Sequence, residues 1–323
     1  MLGLRGDGRL LQLNSYENRV FSVPLEDGSV VVPKFYRPGR WSDEQILEEH
    51  AFARELAAAD VPVVAPRTLE IAAGAMRVTL SGAPPTLAHV TLGEALHRVA
   101  VCDRHAGRGP ELEDPAVLEW LGRFLGRLHA VGSRSAFSHR RSIGPSWGHA
   151  ARERLIDGQF IGEADIGPWR QQCEAALNLI DRAFERSAAL PRLRLHGDFH
   201  PGNVMWRDEG PHVVDLDDAC NGPAVQDLWM LLSGDPPAMR RQLATLLEGY
   251  RVFMPFDERE LALIEPLRTL RMICHSAWIA ERWSDPAFPI AFPWFGSGGY
   301  WSQQVTQLGE QIAQMREPPL QLS

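Results

Sequence analysis

The sequence lacks any uninterrupted apolar run close to the roughly 18 residues that a membrane-spanning helix needs. Near the N-terminus, Arg5, Asp7 and Arg9 break up the apolar residues, which is unlike a secretory signal. We therefore expect a cytoplasmic protein with no membrane partner.

Positive charge and paired cysteines are also scarce. The 33 Lys and Arg residues are outnumbered by 41 Asp and Glu residues, so the net charge of −8 gives no basic field that would attract nucleic acid. The cysteines have neither the spacing of a zinc site nor that of a disulfide framework, which fits a reducing compartment. They are Cys102, Cys173, Cys220 and Cys274.

With 323 residues and 45% hydrophobic content, the chain is long enough to form two hydrophobic cores. Two short apolar runs, 20–23 and 30–32, are joined through Asp27 and Gly28, a pair typical of β-hairpin turns. Further strands are predicted from about residue 61 onward. The N-terminal part is thus expected to be an antiparallel sheet.

A helix is predicted within this sheet region, over about residues 43–59. Ser42 and Gln45 have the spacing of a capping box, in which each side chain bonds the backbone of the other residue. Glu49 falls on the apolar face of this helix, so its carboxylate is predicted to point inward.

Most of the remaining chain has helical periodicity. Asp114 and Pro115 begin a clearly amphipathic helix, and a compact strand–loop–strand segment at 193–217 interrupts the helical part. We predict an α+β fold with two lobes, a small antiparallel-sheet N-lobe and a larger, mainly helical C-lobe. The expected division is 1–103 and 104–323.

The segment at 193–217 has polar residues at the ends of its predicted strands. His196, Asp198 and Asn203 fit the pattern H-x-D-x-x-x-x-N, the spacing of the protein-kinase catalytic loop. Twelve residues beyond Asn203, an apolar strand ends at Asp215. The spacing predicts a bilobal, protein-kinase-like fold.

Transfer of a γ-phosphoryl group from ATP needs an aligned hydroxyl and a cation that bridges the phosphate oxygens. Asp198 would accept the proton of that hydroxyl, whereas Asn203 and Asp215 would hold Mg²⁺. Each residue alone is more simply read as a turn residue. The three together, at kinase spacing, favour function.

Lys34 is the candidate for binding the nucleotide phosphates. It ends an apolar strand and precedes the inward-facing Glu49 by fifteen residues, the order of the kinase lysine and the glutamate that orients it. A solvated lysine is the ordinary alternative, and Arg37 and Arg40 compete for the same role.

The turn at 14–19 lies where a phosphate-covering loop is expected, but it contains no glycine. We interpret Ser15 and Asn18 as hydrogen-bonding groups that cover ATP, and an ordinary polar turn is the alternative. Asp217, beside Asp215, is a further candidate for the metal shell.

At these residues the sequence resembles the choline/aminoglycoside-kinase-like branch of the protein-kinase fold, and within it the bacterial stress response kinase A family. The branch motif is His196-Gly197-Asp198 through Pro201-Gly202-Asn203, followed by Asp215. The segments that resemble the stress response kinase A family are 13–20, 34–38, 215–219, 221–227 and 283–289.

The resemblance implies a kinase that phosphorylates itself and other proteins on Ser or Thr and acts in bacterial stress response. It implies Asp198 as the proton acceptor, Asn203 and Asp215 as Mg²⁺ ligands, and Lys34 at the ATP site. Two departures accompany it. Only thirteen residues precede Asn14, where the family is expected to have an additional helix, and the stretch at about 70–95 is longer than the family pattern.

The acceptor is left open by the residues themselves, because the physical argument reaches only transfer to a hydroxyl. A small-molecule kinase that phosphorylates an aminoglycoside, a choline-like or an amino-acid-like alcohol is the main alternative, and a pseudokinase that binds ATP without turnover is another. The short segment between Asp215 and Asp227, with Gly197 where protein kinases have an arginine, favours an enzyme without an activation-loop switch. We expect a monomer.

Overall fold

A six-stranded antiparallel sheet forms the N-terminal part of the computed structural model, which describes residues 2–295 and 297–322. Its strands are β1 (Leu11–Leu13), β2 (Arg19–Pro24), β3 (Val30–Phe35), β4 (Val78–Ser81), β5 (Leu87–Leu92) and β6 (Ala95–Asp103). They lie in the order β1-β2-β3-β6-β5-β4. Lys34 is therefore on an inner strand, with Val20 of β2 on one side and Ala100 of β6 on the other.

The hairpin predicted through Asp27 and Gly28 joins β2 to β3, and Gly28 has the positive φ of 84° that such a turn favours. The strands predicted from about residue 61 begin later, at β4. Between α1 and β4 the chain makes only isolated bridges, at Val63 and Pro66. Proline has no N–H to donate to a strand ladder, which explains why no extended pairing forms there.

Helix α1 (Asp43–Ala58) packs on the sheet, as predicted. Ser42 Oγ accepts a hydrogen bond from Gln45 N at 3.3 Å, and Gln45 Oε1 accepts one from Ser42 N at 2.9 Å, so both halves of the capping box form. Ile46 is buried in a cluster between the helix and strands β5 and β6. Glu49 is also buried, which confirms its inward orientation.

The other helices are α2 (Pro115–Gly132), α3 (Pro145–Asp157), α4 (Glu163–Arg186), α5 (Val225–Trp229), α6 (Pro236–Tyr250), α7 (Ile264–Glu281), α8 (Ala287–Ala291) and α9 (Gly298–Gln314). Asp114 caps α2 through its side chain, which accepts a hydrogen bond from Ala116 N at 2.9 Å. Four short strands complete the chain: β7 (Leu193–Leu195), β8 (Val204–Arg207), β9 (Gly210–Val213) and β10 (Cys220–Gly222). The predicted α+β architecture, with a sheet followed by a mainly helical part, is confirmed.

The chain forms two compact units. One comprises the residues up to Arg141 together with Leu193–Asn221 and Thr245–Pro255, and the other comprises Ser142–Arg192, Gly222–Ala244 and the residues from Phe256 on. The first unit contains the sheet, α1, α2 and strands β7 to β9. The predicted assignment of an ATP-binding lobe to 1–103 and a catalytic lobe to 104–323 stays a prediction.

Helices α3, α4, α7 and α9 pack against one another in the second unit. Trp169 of α4 meets Trp301 of α9 edge to face, with ring centroids 5.9 Å apart. Across the described residues, none of the helices combines the length and the apolar character that crossing a membrane requires.

Candidate active site

Hydrogen bonds fix the backbone of the loop between β7 and β8, which carries Asp198. His196 is buried; its Nδ1 accepts a hydrogen bond from Asp198 N at 3.3 Å, and its Nε2 lies 3.0 Å from Val214 O. The proton must therefore be on Nε2, since a carbonyl oxygen can only accept. Asn203 Nδ2 donates to Asp198 O at 3.0 Å. These bonds hold the loop in one conformation from both of its ends.

Glycine is required at position 197. Its φ is +84°, and a Cβ atom there would lie 2.2 Å from the carbonyl oxygen of Asp218. The loop thus lies directly against the backbone of the segment that follows Asp215. This packing gives a structural reason for the departure from the arginine that protein kinases have at this position.

Two side chains anchor and flank Asp198. Phe199 is fully buried and stacks on Phe124 of α2, with ring centroids 5.6 Å apart. His200 Nδ1 accepts a hydrogen bond from Gly202 N at 3.0 Å, which leaves its Nε2–H facing Asp198 Oδ2 at 3.5 Å. The sequence pattern gave no role to His200, and its position beside the carboxylate is visible only in the structure.

Asn203 and Asp215 are brought together by the β8–β9 hairpin. Val204 is paired with Val213, and the next pair of residues is joined by a hydrogen bond from Val214 N to Asn203 O at 3.0 Å. Asp215 has left-handed backbone dihedrals, φ 64° and ψ 64°. Such a conformation costs a non-glycine residue about 1–3 kcal/mol, and at functional sites the surrounding structure maintains it.

The Asp215 carboxylate is half exposed, and its Oδ1 lies 3.6 Å from Lys34 Nζ. Desolvation by the surrounding protein raises the pKa of Asp215 above its ordinary value, Lys34 opposes this, and the negative charges of Asp217 and Asp218 add to it. A cation at this position would relieve the repulsion among the three carboxylates.

Lys34 makes its short ion pair with Asp217, not with Glu49. Lys34 Nζ lies 2.8 Å from Asp217 Oδ1, and within the described chain no ion pair joins it to Glu49. Burial alone would lower the pKa of Lys34, but the surrounding acidic groups, Asp217 first among them with Asp215 and Glu49 contributing, together outweigh burial and raise that pKa well above its usual range. The glutamate expected to orient the lysine is replaced in this structure by an aspartate of the 215–218 segment.

Asp217 is surrounded by donors. Besides Lys34, Arg40 NH1 lies 2.5 Å from Asp217 Oδ2, and Asn18 Nδ2 donates to the same oxygen at 3.1 Å. Burial would raise the pKa of Asp217, yet the positive charges of Lys34 and Arg40 hold it well below its usual range. The carboxylate is thus fully ionised and engaged by the protein.

Arg40 also reaches the neighbouring carboxylate. Its NH2 lies 2.7 Å from Asp218 Oδ1, so its guanidinium bridges Asp217 and Asp218. The sequence also offered Arg40 as a phosphate-binding residue. In the structure its guanidinium is instead paired with the carboxylates of Asp217 and Asp218.

The turn at 14–19 is held by internal hydrogen bonds. Asn18 is buried; its Oδ1 accepts from Arg37 N at 3.1 Å, so both ends of its amide are used within the protein. Ser15 Oγ accepts from Asn18 N at 3.2 Å. The predicted contacts of Ser15 and Asn18 with ATP stay predictions.

Glu49 has a polar atom without a partner. Its Oε2 is buried and accepts no hydrogen bond in the described part of the chain. Burial raises the pKa of Glu49, which Lys34 opposes and Asp217 reinforces. A buried polar atom without a hydrogen-bond partner is uncommon in native structures, and the neighbour nearest to Glu49 Oε2 that forms an ion-pair contact is His50 Nε2, at 3.9 Å.

The residues present fit a divalent cation bound together with phosphates. Asn203 donates through its Nδ2, so its Oδ1 is the end of the amide left to bind a metal, and with the Asp215 carboxylate it gives the hard oxygen donors that Mg²⁺ prefers. In residues 2–295 and 297–322, no group of three or more His, Cys, Asp and Glu side chains could hold a metal ion by itself. Mg²⁺ is typically bound by one or two protein oxygens plus substrate phosphates, which agrees with this small donor set.

Comparison with known proteins places this site in a family. The model of the phosphotransferase enzyme family matches residues 9–264. Stress response kinase A of Escherichia coli (strain K12) is 43% identical over 327 residues, covering 99% of this chain and 92% of the relative. The chain belongs to the stress response kinase A family. Another member, from Salmonella typhimurium (strain LT2) and named serine/threonine protein kinase RdoA, is 42% identical with the same coverage.

Solved structures confirm the kinase-like fold. A complex of the amicoumacin kinase hAmiN with AMP-PNP, Ca²⁺ and Ami has a TM-score of 0.70 at 18% identity, covering 99% of this chain and 91% of that one. The microcompartment-associated aminopropanol kinase has a TM-score of 0.68 at 17% identity, with 98% and 95% covered. At these identities the likeness supports the fold alone. Together with the family, it identifies the chain as a phosphotransferase.

Proposed function

We propose that this member of the stress response kinase A family is an ATP- and Mg²⁺-dependent protein kinase that phosphorylates Ser and Thr hydroxyls, its own included. The observation that carries the proposal is the meeting of Asp198, Asn203, Asp215 and Lys34 in one compact unit, on the loop and hairpin whose spacing matches the kinase catalytic loop. The name of the Salmonella relative supports the choice of a protein acceptor.

In the proposed mechanism, Asp198 positions the acceptor hydroxyl and accepts its proton as the hydroxyl oxygen bonds to the γ-phosphorus. The bond from that phosphorus to the bridging oxygen breaks, and ADP leaves with the electron pair. Asn203 Oδ1 and the Asp215 carboxylate would hold Mg²⁺, which would supply positive charge against the phosphate oxygens when bound. The donors on Asn203 Nδ2 and His196 keep the loop fixed while this occurs.

Lys34 is proposed to bind the nucleotide phosphates. For this it must share or leave Asp217, to which it is paired at 2.8 Å. Glu49 Oε2, buried and without a hydrogen-bond partner, is then the available acceptor for the lysine. The predicted Lys34–Glu49 pair is thus proposed for the nucleotide-bound enzyme.

The small-molecule alternative has less support from the site. A choline-like or aminoglycoside acceptor is cationic, and carboxylates or aromatic rings bind such a group. Asp217 and Asp218 are already paired with Lys34 and Arg40, so they do not offer an anionic pocket beside Asp215. The cytoplasmic location, the monomeric state and a role in stress response are part of the proposal.

The test is transfer of label from Mg²⁺-ATP by the purified protein, alone, with a generic protein acceptor, and with a panel of amino-alcohols. Label on protein Ser or Thr that is absent with Asp198→Asn is the expected result. Label found only on a small alcohol would overturn the choice of acceptor. Nucleotide binding without transfer to any acceptor would instead indicate a pseudokinase.

A further inference from the structure

Glu48, one residue before the inward-facing Glu49, binds a distant loop. Its Oε1 accepts a hydrogen bond from Ser138 N at 2.5 Å, and its Oε2 accepts bonds from His139 N and Arg140 N, each at 2.9 Å. A single carboxylate thus binds three consecutive backbone N–H groups. We call residues 137–141 the strap.

Arg140 of the strap is buried and points at the segment that follows Asp215. Its Nε donates to Ala219 O at 2.6 Å, and its NH2 donates to Asp217 O. Its NH1 donates to Gln45 O of α1 at 3.2 Å. One guanidinium therefore joins α1 to the two carbonyls that lie two and four residues beyond Asp215.

The strap has a second connection to the same segment. Asn221 Nδ2 donates to Phe137 O at 3.0 Å, and Asn221 Oδ1 accepts from Phe137 N at 2.9 Å. Asn221 N also donates to Arg141 O at 3.0 Å. Both ends of the strap are thus attached to Asn221, whereas the backbone N–H groups in its middle bind Glu48 of α1.

We propose that Arg140 is a positioning residue for the metal ligand Asp215 and that Glu48 keeps Arg140 in place, an inference that rests on the proposed role of Asp215. Asp215 is held in a left-handed backbone conformation that it does not favour intrinsically. The carbonyls of Asp217 and Ala219 are fixed by Arg140, and the backbone between them contacts Gly197 of the catalytic loop. Without Arg140, the carbonyl oxygens of Asp217 and Ala219 lose the buried guanidinium donors that fix them.

The planar fork of arginine is needed for this role. Its donors diverge in fixed directions, so they can bond three separate carbonyls at once, whereas an ammonium group is a compact point charge that cannot reach all three. The Trp41 ring lies 4.3 Å from Arg140 Cζ and covers the guanidinium. Arg140→Lys therefore keeps the charge but removes the geometry.

Direct binding of Mn²⁺ in the presence of a non-hydrolysable ATP analogue, followed by electron paramagnetic resonance, tests the inference without relying on turnover. Loss of a group that orients a metal ligand typically weakens metal affinity by about 10–100-fold, and we expect a loss in this range for Arg140→Lys and for Glu48→Gln. In Glu48→Gln an NH₂ group replaces one acceptor oxygen. Arg134→Lys and Glu44→Gln, at exposed positions on the same elements or beside them, should bind Mn²⁺ like the unsubstituted protein.

A structural role alone would lower thermal stability without changing the metal dependence. We expect excess Mg²⁺ to restore kcat in Arg140→Lys. If Arg140→Lys does not fold, folded Glu48→Gln should show the same weakened Mn²⁺ binding. Unchanged Mn²⁺ affinity in a folded variant would overturn the inference. Failure of the proposed function would look different, because Asp215→Asn would then bind Mn²⁺ normally.

Discussion

At Lys34, the proposed binding of nucleotide phosphates would compete with Asp217 for one ammonium group. The lysine is mostly buried, and the aspartate is more so, with 4% of its side chain exposed. A buried charge that loses its partner is strongly destabilised, so Lys34 cannot leave Asp217 without a replacement anion. Phosphate oxygens supply one, while Arg40 and Asn18 remain to pair with Asp217. We therefore propose that nucleotide binding at Lys34 is an exchange of ion pairs.

The buried His50 makes the stability of the protein depend on pH. It is buried between Tyr36 Oη, 2.8 Å from its Nε2, and Thr86 Oγ1, 2.9 Å from its Nδ1. Burial lowers the pKa of His50 from 6.5 to about 3, and the positive charge of Lys34 acts in the same direction. In the unfolded chain the imidazole titrates near its ordinary value.

Between these two pKa values the unfolded state binds the additional proton, so stability falls as the pH falls below about 6.5. One proton corresponds to a slope of about 1.4 kcal/mol per pH unit in the free energy of unfolding. Urea unfolding from pH 7 to 4 should show this component in the wild type and lack it in His50→Gln. The exposed His139→Gln variant should retain it. Equal slopes for all three proteins would contradict the account.

Among the elements, the loop that carries Asp198 lies in close contact with the segment after Asp215. Gly197→Ala would force a side chain into a left-handed conformation and against Asp218 O, which lies 2.2 Å from the position of the added Cβ. We expect the free energy of unfolding to fall by about 1–3 kcal/mol and phosphoryl transfer to fall with it, because Asp198 is the next residue.

Urea unfolding and initial rates measure both effects. Gly109→Ala is the matched control, since nothing lies within 4 Å of its Cβ position and its φ is not left-handed. A Gly197→Ala variant that is as stable and active as the control would show that the close contact is not needed.

Local sequence signals predicted the elements that depend on neighbouring residues. The turn at Asp27 and Gly28, the capping box at Ser42 and the inward face that carries Glu49 all formed as predicted, because each depends on contacts within a few residues. The further strands predicted from about residue 61 formed only from Val78 onward, since Pro66 and its neighbours make only isolated bridges.

The partners of charged residues could not be predicted from the sequence in the same way. Lys34 precedes Glu49 by the expected spacing, yet its short ion pair is with Asp217, 183 residues away in sequence. Arg140 meets the carbonyl of Ala219 across 79 residues, with no motif around it that announces the contact. Such pairs are determined by how the chain packs, and a single sequence carries no local signal for them.

For the whole molecule, the composition of the segment 216–226 predicts an enzyme that is not activated by phosphorylation there. The segment contains no Ser, Thr or Tyr, so it offers no hydroxyl for an activating phosphate. Asp218 already has the cationic partners Arg40 and Arg141, at 2.7 and 3.2 Å. We expect phosphatase-treated enzyme, with phosphate removal verified by intact mass, to keep its initial rate. Loss of most activity on dephosphorylation would contradict this.

We propose that Asp198 accepts the proton in a kinase whose nucleotide site is otherwise formed by Lys34, Asn203 and Asp215. The most direct test of this role is a paired measurement of the transfer rate and of ATP-analogue affinity for Asp198→Asn and the unsubstituted protein. Removal of a general base typically lowers the rate by about 10²–10⁴, so we predict a loss of this size with unchanged analogue affinity. An Asp198→Asn enzyme that transfers phosphate at the wild-type rate would contradict the account.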